Sequence, residues 1–295
     1  MTPHPSPEEP ASETTVRDAF TVAPADPLWQ SIPICIVMLP FTLMSLVCCL
    51  LSASVIIPIY RRRSLPVRDQ LSRFVLFWLL ATARFRISVV DHNASRDEHS
   101  QLYVAPHVCM LEAMILIRVV GHIRPMTAEF TKHLPIFGRF VDAADPIYVK
   151  RSSSPQKVSV VDLLRESIAS TPYRHLVFPE GTFTNGNSII TFKSGAFVVG
   201  SPVTPIVFSY ANYTPFWNRD ESTFPIQIYR LVSRFFTPVT LEFLPTYHPS
   251  PAELEDPKLY AANVRRAISR HSGRPLSPQS LRDSPNYQRD KNERT

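Results

Sequence analysis

From Ile32 to Tyr60 the chain carries no charged side chain, and no other stretch limits its fold so strictly. At ~1.5 Å per residue such a run is long enough to cross a hydrocarbon core of ~30 Å. A cleaved signal peptide is the competing reading. It fits poorly, because the apolar run starts late and its upstream flank is acidic, with Glu8, Glu9, Glu13, Asp18 and Asp26. Pro40 and Pro58 interrupt the run, so the segment either crosses once or folds back as a re-entrant hairpin. Arg61, Arg62 and Arg63 follow at once, and basic residues at a membrane boundary favour the cytosolic side. The domain downstream is therefore expected in the cytosol.

Around this anchor the chain divides into four parts. Residues 1–30, rich in Pro, Ser, Thr and Glu without apolar periodicity, read as a disordered tail. Residues 31–84 are membrane-anchoring. Their second apolar stretch, Phe74 to Ala83, is too short to span and reads either as an interfacial helix anchored by Trp78 or as a core helix. Residues 85–271 read as the main folded domain, and the polar residues 272–295 as a second disordered tail. The net charge of +6 suits an anionic partner, whether a phospholipid surface, a CoA phosphate or nucleic acid. The sequence has no zinc-spaced cysteines, dinucleotide fingerprint or GxxxxGK[ST] loop, so no nucleic acid partner is expected. Three of the four cysteines, Cys35, Cys48 and Cys49, lie in the apolar run, with Cys109 elsewhere, which is no disulfide framework.

Beyond Arg84, short apolar runs alternate with helical periodicity. Phe85 to Val90, Leu102 to Ala105, His175 to Phe178, Val203 to Ser209 and Val239 to Leu244 read as strands. Met110 to Val120, Pro125 to Leu134, Val158 to Ser170 and Asp256 to His271 read as helices, and Pro135 to Arg139 as a turn. Phe224 to Phe236 reads as a further helix, interfacial or core-packed. The alternation predicts an α/β fold, a central sheet flanked by helices.

Chemistry concentrates at two strand ends. The run His175 to Pro179 delivers Glu180 and a glycine-punctuated loop, FPEGTFTNG, in which Thr182 and Thr184 offer hydroxyls. FKSGAF follows, and its Lys193 can bring a cation to an anionic substrate. A histidine with a carboxylate five residues on occurs twice, as His92 with Asp97 and as His107 with Glu112. His92 continues into a polar stretch, whereas His107 follows a strand and precedes an apolar helix. Five residues of continuous helix would set the pair about 140° apart. His107 is therefore expected just outside the helix, with Glu112 on its first turn reaching back. Cys109, two residues from His107, raises an acyl-enzyme alternative.

These strings resemble the glycerolipid acyltransferase family with its HxxxxD motif, and in particular the lysophosphatidylcholine acyltransferase branch, whose third motif has the form FPEGTxTNG followed by FKxGAF. The similarity runs from about residue 32 to about residue 270. It takes in LPIFG at 134–138 through IYVKR at 147–151, GSPVTPI at 200–206 and EFLP at 242–245. It implies a mixed central sheet and a transfer from acyl-CoA, as co-substrate, to a lysophospholipid hydroxyl, without metal or cofactor. His107 and Glu112 would be catalytic. Arg151, Glu180, Gly181, Thr182 and Lys193 would bind substrate, with Arg151 on the acceptor's phosphate. The expected location is the endoplasmic reticulum membrane. Glu112 stands where the family has aspartate, which leaves a catalytically weakened, lipid-binding member as an alternative. GTFT in place of GTRS points from lysophosphatidate toward a lysophospholipid with an esterified phosphate. An acceptor such as glycerol 3-phosphate is the remaining alternative.

Overall fold

The computed structural model describes residues 19–20, 32–60, 65–93, 100–133, 137–149, 160–211, 229, 231 and 233–284. Seven strands form one sheet: β1 (Phe85–Asp91), β2 (Leu102–Val104), β3 (Ile123–Ala128), β4 (Ile147–Val149), β5 (Arg174–Val177), β6 (Val203–Tyr210) and β7 (Thr237–Phe243). Their order is β1-β7-β6-β2-β5-β3-β4. Strands β6, β2, β5, β3 and β4 run parallel, while β7 pairs antiparallel with β6 and carries β1 parallel to itself. The sheet is therefore mixed, with its parallel block in the centre.

Side chains alternate across this sheet, as a pleat requires. Tyr103, Ala105, Ile206 and Phe208 face one layer, which holds α1 (Ile32–Tyr60), α2 (Leu65–Thr82), α3 (Glu112–Val120) and α4 (Phe137–Ala143). Leu102, Val104, Val203 and Val207 face the other, where α5 (Val160–Ser170), α6 (Pro251–Glu255) and α7 (Pro257–Ser272) lie. Helix α7 starts at Asp256, whose side chain accepts from the Lys258 N–H, with Pro257 in its first turn, and stops at Gly273 with φ +69°. It buries Tyr260, Ala261, Val264 and Ile268, the i, i+4, i+8 spacing of one helical face.

Helix α1 exposes most of its apolar side chains, Ile36, Val37, Met44 and Leu51 among them. Its segment Ile32–Ile56 is long and apolar enough to cross a membrane. Helix α2 packs along α1 through a face that includes Val75, Leu76 and Leu80, and leaves Phe74 and Phe77 outward.

Four expectations need correction. Pro125 to Leu134 is not a helix: β3 covers Ile123–Ala128, and a 3-10 turn covers Glu129–His133. Strand β3 pairs with β5 up to Pro125 and with β4 from Met126 onward. Proline, lacking an N–H, sits where the partner changes. Phe137–Ala143, which begins inside the expected turn, is helical. Ser233–Phe236 forms a turn rather than the end of a helix, and most of Phe224 to Phe236 lies outside the described residues. Neither expected tail is free throughout. Ala19 and Phe20 are buried, and the Ala19 carbonyl accepts from the Asn185 N–H. Residues 273–284 form backbone bonds with Ile189 and Thr191, anchored by Arg265 on the Ile189 and Ser277 carbonyls. A polar composition conceals such a strap because its backbone, not its side chains, does the pairing.

Candidate active site

The parallel strands β2 and β5 deliver the two motifs side by side, since Val104 pairs with Val177 and both chains leave the sheet in the same direction. Ligand sites in parallel sheets collect at these carboxyl ends. Three residues past β2, the backbone of His107 is held twice by the loop that follows β5. Its N–H donates to Glu180 Oε2 at 2.7 Å, and its carbonyl accepts from the Thr184 N–H at 2.8 Å. The His107 ring packs against Phe178 at 3.7 Å between centroids, nearly parallel, and against Phe183 at 4.1 Å. Two rings that close to one imidazole must take its two faces.

Glu112 opens α3, so its carboxylate turns back as the spacing requires. His107 Nδ1 lies 2.7 Å from Glu112 Oε2, and the Glu112 side chain is fully buried. The Val108 N–H also donates to this carboxylate, and the Tyr210 hydroxyl donates to Oε1 at 3.1 Å from the end of β6. A carboxylate accepts only, so Nδ1 is the donor in this contact, and in the neutral ring that leaves the lone pair on Nε2. The longer glutamate arm is thus accommodated, with each oxygen engaged by a donor.

Glu180 is not placed to grip a substrate. It is completely buried, and its two oxygens accept from the backbone N–H groups of His107 and Ile190. Burial raises its pKa from 4.5 to about 8, against the opposing pull of those two N–H groups. Through these two hydrogen bonds Glu180 braces the two motifs against each other. Gly181 turns the chain with φ +70°, and a Cβ there would meet Lys193 Nζ at 2.7 Å, so the ammonium lies directly over this turn. Thr182 is buried, with its hydroxyl 3.4 Å from that of Ser284. Arg151 lies outside the described residues.

Four contributors escaped the sequence reading. Tyr210 ends a recognised strand and was legible by the strand-end rule. The Phe178 and Phe183 rings lay within the quoted motif. Arg274 had no local signal: it sits in the strap, donates to the Phe208 carbonyl, and interacts electrostatically with Glu112 and Glu180. The Cys109 thiol is buried, and burial lifts its pKa far above the ordinary range. A thiol kept protonated is a poor nucleophile. His92 stands at the end of the edge strand β1, separated from β2 by β7 and β6, three strand spacings or ~14 Å. It contacts Glu242 and His271 instead of the loop.

A histidine held by a buried carboxylate, beside a thiol that burial keeps protonated, is an arrangement chemically able to take a proton from a hydroxyl group. Residues 86–209 match the family model for Acyltransferase, and the chain belongs to that family. It is 32% identical over 202 residues to Lysophosphatidylcholine acyltransferase 1 of Homo sapiens, covering 67% of this chain and 38% of that protein. To Lysophosphatidylcholine acyltransferase 2 of Rattus norvegicus it is 32% identical over 250 residues, covering 83% and 45% respectively. The chain thus spans less than half the length of these relatives. The solved 1-acyl-sn-glycerophosphate (LPA) acyltransferase PlsC from Thermotoga maritima aligns with a TM-score of 0.43 at 18% identity, over 79% of this chain and 98% of that one.

Proposed function

We propose that this protein is a membrane-bound acyltransferase that moves a fatty acyl group from acyl-CoA to the free hydroxyl of a lysophospholipid of the lysophosphatidylcholine or lysophosphatidylethanolamine type. The observation that carries this reading is the 2.7 Å contact between His107 Nδ1 and Glu112, which leaves Nε2 available as a base. In the reaction Nε2 takes the hydroxyl proton as the oxygen attacks the thioester carbonyl. The C–S bond then breaks, and the departing thiolate takes the proton from the imidazolium, giving phospholipid and CoA. Glu112 stabilises the transient cation and Tyr210 holds Glu112, while Phe178 and Phe183 keep the ring from rotating. Lys193 above Gly181 and, by the motif resemblance, Arg151 supply positive charge for the acceptor's phosphate, and Thr182 shapes the Gly181 turn. Relatives that carry lysophosphatidylcholine acyltransferase names support the acceptor class. The apolar helix α1 supports a membrane location; the endoplasmic reticulum with the catalytic domain in the cytosol is the setting we assign.

The test is acyl transfer from labelled acyl-CoA by purified protein to a panel of lysophospholipids, lysophosphatidate and glycerol 3-phosphate. Transfer to choline or ethanolamine lysolipids should dominate. His107→Ala should lower kcat by about 10²- to 10⁴-fold, the usual worth of a positioned base. Glu112→Asp should lower it less, because the shortened arm withdraws from Nδ1 without removing the charge. Lysolipid binding without transfer to any acceptor would sink the catalytic reading.

A further inference from the structure

Away from the catalytic pair, His92, Glu242 and His271 bring three donor atoms together, all within 4.8 Å of one another. Glu242 Oε2 lies 3.5 Å from His92 Nε2 and 3.0 Å from His271 Nε2, and the two imidazole rings stand 4.9 Å apart, edge to face. Ligand atoms ~2.0–2.1 Å from a tetrahedral zinc ion stand ~3.3 Å from each other. The observed separations bracket that edge length. We propose that these residues form a binding site for a divalent transition metal of the zinc type, with water in the fourth position.

Each ligand is fixed by a rigid element. His92 follows β1 directly, and its N–H donates to the Phe243 carbonyl at 2.9 Å. Glu242 lies within β7, paired with Val90 on one side and Val207 on the other. His271 occupies the last turn of α7. The chain after His92 is pinned as well: Asn93 donates to the Leu244 carbonyl and accepts from the Thr246 N–H. Two nitrogen donors and one carboxylate suit zinc and its neighbours rather than calcium or magnesium, which favour all-oxygen shells. The ligands are partly exposed, with side-chain accessibilities of 38%, 22% and 32% in chain order, so an ion can enter from solvent. Arg274 interacts with Glu242 electrostatically. It opposes a dication and holds the affinity below that of a closed structural site.

Such an ion would fasten the end of α7 to the edge strand of the sheet, immediately before the strap that carries Arg274. It would not touch the reacting groups. Metal binding is measured on the full-length protein in detergent after chelator dialysis, by calorimetry with Zn²⁺ and by the visible absorption of Co²⁺. The expected result is one tight equivalent of Zn²⁺, a tetrahedral Co²⁺ spectrum and a Tm raised by Zn²⁺ but not by Mg²⁺. His92→Ala and His271→Ala should each weaken binding by more than about tenfold, the loss that even outer-shell changes cause. His133→Ala, at an exposed histidine outside the trio, should change nothing. Absence of a stoichiometric site, or binding untouched in the His92→Ala/His271→Ala double variant with its wild-type circular dichroism retained, would overturn the proposal.

Discussion

Tyr210 tests whether the His107–Glu112 pair works as a unit or as two independent groups. Its hydroxyl reaches only Glu112 among the catalytic residues, so Tyr210→Phe should lower kcat about tenfold, or ~1.4 kcal/mol of barrier, and leave KM nearly unchanged. Steady-state kinetics with a saturable lysolipid would show the split. Glu180 makes a different claim, about stability. The unfolded chain holds this proton only up to about 4.5, whereas the folded chain holds it up to about 8. Between those values folding takes up a proton, so this group's contribution is present below the lower value and is lost as pH rises through the upper one. Glu180→Gln should therefore flatten the decline of Tm with pH across that window. It should also lower Tm overall, because an amide offers one oxygen to two N–H donors, at a cost of ~1–3 kcal/mol. The contact between His107 and Glu112 was legible in the sequence because a five-residue offset at a helix start has one workable geometry. The role of Glu180 was not, since a motif shows that a carboxylate is present without showing that its own backbone consumes both oxygens.

Among the elements, the strap at residues 273–284 ties part of the expected C-terminal tail to the sheet domain, and it reaches the site through Arg274 and through Ser284 beside Thr182. Arg274→Met keeps much of the side-chain volume and removes the donor to the Phe208 carbonyl together with the positive charge that interacts with Glu112 and Glu180. The expected loss is ~1–3 kcal/mol of stability by chemical denaturation, with a fall in kcat, and Arg274→Lys should recover part of both. Most strands were legible because a short apolar run bounded by turn residues has few other uses. The run at β3 was misread. Arg124, Pro125 and Thr127 break its apolar pattern, and only the neighbours β5 and β4 make it a strand. The strap was missed for the complementary reason: Pro275, Ser277 and Gln279 look like linker residues, and it is their backbone that pairs with Ile189 and Thr191.

For the whole molecule, the arrangement of anchor and sheet sets where and when the site exists. If Ile32–Ile56 crosses a bilayer, its ~37 Å of helix exceeds the ~30 Å core. Met44, exposed near its middle, is then a lipid contact. Met44→Arg should reduce the fraction resisting alkaline extraction from membranes, in line with an insertion penalty of ~2.5–3.5 kcal/mol. Strand β1 follows the anchoring helices closely, yet its partner β7 lies about 150 residues further along the chain. At ~5–20 residues per second a ribosome needs roughly 8–30 s to supply it. During that interval the anchor and an unpaired edge strand with exposed Val89 and Val90 have already been made. The growing chain keeps that edge unpaired until β7 arrives, and the brace around His107, completed by Arg274, closes only after residue 274 has been made. An unfinished copy of this chain would carry His107 without the full set of groups that hold it.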